Sequence, residues 1–166
     1  MLTEPTRDGY TAKLTATRAS HLSTKEFERL TKLIEVAVAE LGSQVEDLTC
    51  SVRNTPGRCI AQVGNAALTV SWVRTIRDES AGARLMVLEW DGKIEQHHDI
   101  IPERTLYRPA PRRTAQLVSE TAFTVDADGD DHWFWRKTDD KRTQFESERL
   151  AATFIKSLLQ RARSEA

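Results

Sequence analysis

Hydrophobic and polar positions alternate along Tyr10–Thr17, where Tyr10, Ala12, Leu14 and Ala16 are set against Thr11, Lys13, Thr15 and Thr17. This period predicts a strand with one buried face. The period then lengthens. Ser23 and Glu26 form a capping box, in which each side chain can satisfy the other's orphan backbone N–H, and Phe27, Leu30, Ile34, Ala37 and Leu41 recur at helical spacing. With Gly42 as the stop, the pattern predicts an amphipathic helix over 24–41.

From residue 45 to about 138 the signal is of strands. Val45–Arg53 and Arg58–Val63 flank Asn54-Thr55-Pro56-Gly57 as a hairpin, and Ala67–Arg77 and Ala83–Trp90 flank the turn-rich 78–82. Asp91-Gly92 reads as a two-residue hairpin turn that would pair Trp90 with Lys93 and Leu88 with Glu95. Three prolines between Pro102 and Pro111 mark an irregular crossing, and Leu117–Val125 with His132–Lys137 form a last hairpin, Val125 opposite His132. Thr143 and Glu146 make a second capping box, opening a helix over 144–163 with Leu150, Phe154 and Leu158 on its apolar stripe.

The expected fold is a single α+β domain spanning 1–166, a mostly antiparallel sheet of about six to eight strands with both helices packed on it. The order strand, helix, strands, terminal helix resembles the helix-grip arrangement of START-like and Bet v 1-like ligand-binding proteins, and the resemblance implies a curved sheet around a cavity closed by the last helix. Type III secretion chaperone-like folds share the order of helix, strands and helix.

Composition narrows the functional classes. The chain has 166 residues, with 24 Lys+Arg balanced by 25 Asp+Glu, so no overall field favours nucleic acid or an anionic membrane. Aliphatic runs such as Val36–Ala39 stop far short of a membrane span or a secretory h-region, so a cytoplasmic location is expected. The two cysteines, Cys50 and Cys59, read as free thiols on one face of the first hairpin.

Most chemical constellations fail on inspection. His97 and His98 point to opposite strand faces and cannot share an ion, and the calcium-like Asp126–Asp131 run lacks the turn glycine and the bidentate glutamate. No metal and no cofactor is expected. Arg104, Arg108, Arg112 and Arg113, beside Tyr107, make one stretch locally basic without the aromatic interleaving of an RNA platform. Gly-x-Ser-x-Gly, Walker, dinucleotide and His-Glu-x-x-His motifs are all missing. Spatial triads leave no such trace in sequence, so the reading leans away from catalysis without closing it.

The sheet offers the sharper clue. Trp133 and Trp135 share one face of their strand while Phe134 takes the other, and Met86, Leu88 and Trp90 oppose Leu85, Val87, Ile94 and Ile100. Helices can close one apolar face, and the other must be closed by a further part of the chain, a partner or a ligand. The leading expectation is a non-catalytic module that recognises a protein partner, or another copy of itself, through Trp90, Trp133 and Trp135. The alternative is an apolar small-molecule pocket between sheet and C-terminal helix, with Glu89, Gln96 and His98 as its polar groups, of which a small enzyme using Glu89 and His98 would be a special case.

Overall fold

The computed structural model describes the backbone of residues 5–74, 83–94, 115–127, 133–140 and 142–164, and within these the side chains from residue 23 onward other than those of Arg74 and Ala127. Helix α1 (Pro5–Gln44) opens the chain, followed by β1 (Cys50–Thr55), β2 (Arg58–Val63), β3 (Ala66–Arg74), β4 (Ala83–Gly92), β5 (Ala115–Ala127), β6 (Trp133–Lys137), β7 (Gln144–Phe145) and helix α2 (Ser147–Ser164). The seven strands form one antiparallel sheet in sequence order, β1 to β7, and the helices pack on each other and on the sheet. This is the α+β architecture expected from the sequence.

The first element corrects that expectation, because residues 10–17 are helical and belong to the 40-residue α1. Ser23 is therefore not a cap: it lies within the helix, buried at the head of the stripe that continues through Phe27, Leu30, Ile34, Val38 and Leu41. Alternating Ala and Thr fit either period, and the continuous run of backbone hydrogen bonds decides for helix. With no strand ahead of the helix among the described residues, the helix-grip order is not reproduced. Gly42 lies inside the last turn of α1, where an added Cβ would meet the Cys50 Cβ at 3.4 Å.

Register shows how the core forms. In β2 and β3, Cys59 opposes Val70, Ala61 opposes Leu68 and Val63 opposes Ala66, while Val70 and Trp72 continue onto Val87 and Leu85 of β4. These side chains face the helices and are buried with Leu150, Phe154 and Leu158 of α2. Two aromatic groups bind the layers. Phe27 of α1 stacks on Trp72, which meets Trp135 edge-on at 5.8 Å, and Phe123 meets both Phe145 and Phe154 edge-on.

Three hairpin registers differ from expectation. The first turn is only Pro56-Gly57, with Thr55 opposite Arg58, because Pro56 fixes φ for the turn and Gly57 takes the positive φ of 78° that follows it. The shift of two residues preserves parity, so Cys50 and Cys59 still share the helix-facing side, and both are free. The Asp91-Gly92 hairpin does not form. β4 runs through both residues with β3 on one edge and β5 on the other, Leu88 lying between Thr69 and Glu120, so Lys93 has no edge to return to. In the last hairpin Val125 pairs with Trp135, which puts Phe134 opposite Asp126 and away from Phe123.

α2 starts at Ser147, later than the expected 144, because Gln144 and Phe145 add β7 to the sheet edge against Arg136 and Trp135. Thr143 consequently turns to Asp140, donating to Oδ2 at 3.2 Å.

Burial at the helix–sheet seam raises the Cys59 thiol to about 12, chiefly through desolvation and secondarily through the Glu35 charge. The folded state thus holds its proton where the unfolded chain, near the ordinary value of 9.0, has lost it. Stability from this group is complete below pH 9 and declines as pH rises toward 12, by about 3 kcal/mol at pH 11. Denaturant titrations should show this alkaline decline in the native protein and a shallower one in Cys59→Val. Parallel curves for the two proteins would exclude a buried protonated thiol.

Candidate functional site

The sheet has two faces of different character. The face under α1 and α2 is filled by the core, whereas the opposite face carries no described helix. Its central residues are nonetheless well packed, with Ala67 at 0%, Thr69 at 1% and Phe134 at 2% exposure. Trp90 supplies part of that cover. It sits between Ala67 on β3 and Leu117 on β5, and its Nε1 donates to the Thr69 hydroxyl at 3.2 Å.

The three tryptophans singled out from the sequence do not share one patch. Trp90 lies on the helix-free face, while Trp133 and Trp135 point to the helix side, across from Ala127 and Val125. Trp135 is completely buried. Its Nε1 donates to Ser147 Oγ at 2.9 Å, and that hydroxyl donates to Glu26 Oε1 at 2.6 Å, so β6, the start of α2 and α1 are joined by one hydrogen-bonded chain. An ion pair between Arg29 and Glu148 closes the same corner.

Glu89 lies on the helix side near the end of α2. Ser119 Oγ donates to its Oε2 at 2.6 Å and Ser157 Oγ to its Oε1 at 2.8 Å, with Arg161 4.0 Å away. Arg161 is itself engaged. Its Nη1 donates to the Trp90 carbonyl at 2.8 Å and to Asp91 Oδ1 at 3.3 Å, and its Nη2 donates to the Ala67 carbonyl at 3.0 Å. The group can fix a helix to a sheet end, since its serine hydroxyls and the Arg161 Nη groups donate to carboxylate and carbonyl acceptors across it, Arg161 Nε alone being buried without a partner among the described donors of the group. Gln96 and His98, expected as its companions in a pocket, lie outside the described residues, as do His97, Asp99, the four arginines at 104–113 and Asp128–His132. Among the described residues no three His, Cys, Asp or Glu side chains are grouped as metal ligands.

Sequence reasoning missed the margin of the helix-free face. β4 and β5 change register between Glu89 and Trp90, since Glu89 pairs with Ser119 and Trp90 with Leu117, which leaves Val118 as the extra residue of a bulge. Leu117 and Val118 are 40% and 48% exposed, next to one another and beside Trp90. Their adjacency in sequence was a usable signal, but the expected start of the strand at Leu117 concealed the bulge. Gln62 holds the neighbouring strand end, donating to the carbonyls of Gly64, Ala66 and Gly92 and accepting from the Ile94 N–H.

No described helix is long and apolar enough to cross a membrane. No family model, curated protein or solved structure matches this chain.

Proposed function

We propose that this chain is a non-catalytic binding module, working in a reducing cytoplasm, that recognises a protein partner through the β4–β5 part of its helix-free face. The observation that carries the reading is the exposed pair Leu117 and Val118 beside Trp90, at a place where no described helix covers the sheet. Large apolar side chains exposed together mark interaction surfaces more often than single ones do, and tryptophan is enriched at the energetic centre of interfaces. The engagement of Glu89 and Arg161 with surrounding hydroxyls and carbonyls supports a structural role for the main polar group. The free thiols Cys50 and Cys59 fit a reducing compartment.

Photo-crosslinking in cells tests the proposal. A photoreactive residue at Leu117 should give a discrete protein adduct, and one at Thr153, on the exposed side of α2, should not. Absence of any adduct at Leu117, or equal labelling at both positions, would overturn it.

A further inference from the structure

β5 is much longer than the strand beside it. β4 covers one of its edges from Ala115 to Phe123, but β6 covers the other only from Phe123 to Ala127, with a last backbone bond from Thr138 N–H to the Ala122 carbonyl. From Ala115 to Thr121 no described residue hydrogen-bonds to that outer edge. A row of unpaired N–H and C=O groups is a template for another strand.

The side chains on this stretch do not guard it. Proteins blunt open edges with lysine, proline, inward charges or bulges, and of these Ala115-Gln116-Leu117-Val118-Ser119-Glu120-Thr121 has one charge, no proline and the single bulge at Val118. Edge strand β1, by contrast, contains Arg53 and is packed against α1. The open part of β5 also coincides with exposed Leu117 and Val118.

We infer that the Ala115–Thr121 edge of β5, unpaired among the described residues, pairs antiparallel with the same edge of a second copy of this chain, joining the two sheets across a two-fold axis. This rests on the binding-module reading and names its partner. The choice of a second copy follows from self-complementarity. Pairing the whole edge with itself sets the axis at Val118, so that Val118 meets its counterpart, Leu117 meets Ser119, Ala115 meets Thr121, and Glu120 meets the neutral Gln116. No like charges oppose one another, and Gln116 can donate to Glu120. The seven-residue edge would extend about 24 Å.

Sedimentation equilibrium of the full chain tests the inference, using Val118→Lys and Val118→Glu. The native protein should run at twice 18.8 kDa at micromolar concentrations. Each variant places two like charges at the axis and should weaken self-association by about tenfold or more. An equimolar mixture of the two variants should recover the dimer, because lysine then faces glutamate, a recovery that misfolded variants could not show. A monomeric native protein, variants that remain dimeric, or a mixture that stays monomeric would each overturn the pairing. A monomer that still gives an adduct from Leu117 with a different protein would overturn self-pairing while leaving the binding module in place. A monomer with no adduct would remove both.

Discussion

Replacing Trp135 with alanine should lower the stability of this protein by about 3–5 kcal/mol, a large part of what a domain of this size possesses. Its ring is fully buried, meets Trp72 edge-on and faces Val125, so truncation would leave a cavity at the junction of β6 and the helices. The second contribution is polar. Nε1 of Trp135 supplies the donor for Ser147, the first residue of α2, whose own proton goes to Glu26. Trp135→Phe keeps part of the ring contact but removes that donor together with three ring atoms, and should cost less than the alanine variant, about 2–3 kcal/mol. Guanidinium denaturation of the two variants gives both numbers. A native-like midpoint for Trp135→Ala would show that the ring does not hold the layers together.

That same residue shows what was readable in the sequence. Alternation placed Trp133 and Trp135 on one side and Phe134 on the other, and the structure agrees. It could not say which side the helices occupy, because His132–Lys137 is apolar on both faces. Alternation alone is compatible with Trp135 on a partner surface, whereas its side is the one beneath α1 and α2. Its hydrogen-bond partners Ser147 and Glu26 are separated by 121 residues, a distance over which periodicity carries no information.

Local signals misled where tertiary pairing outweighed them. Asp91-Gly92 has favourable turn chemistry, but β4 has β3 and β5 on its two edges, and those ladders leave no edge for a tight reversal at Lys93. Ser23 with Glu26 has the composition of a cap, but helix formation upstream absorbed it. The amphipathic stripes at 27–41 and 150–162 were legible because each is repeated over several turns, and such repetition constrains both period and face. Glu89 stands out in the sequence as a polar group on an apolar face. Its partners Ser119, Ser157 and Arg161 do not, since they come from β5 and α2 and only the fold brings them together.

Arg161→Met should cost about 3 kcal/mol, well beyond the effect of Glu89→Gln, although the two residues face each other. The methionine keeps much of the side-chain stem and its packing, so the loss isolates the guanidinium. Arg161 has only 16% side-chain exposure, and its removal strands the Ala67 and Trp90 carbonyls it serves from α2. It also leaves the Glu89 carboxylate, at 19% exposure, without its cation, and an uncompensated charge in a largely dry place is costly. Glu89→Gln is milder. The amide oxygen still accepts from one serine hydroxyl, and the amide N–H can donate to the other, because Ser119 and Ser157 hydroxyls both donate and accept. Its cost should be about 1 kcal/mol. In the double variant the unpaired carboxylate is gone, so the combined loss should fall below the sum of the single losses by about 1 kcal/mol or more. A double-mutant cycle by urea denaturation measures that difference, and strict additivity would show that Arg161 stabilises the sheet end through the two carbonyls and Asp91, independently of Glu89.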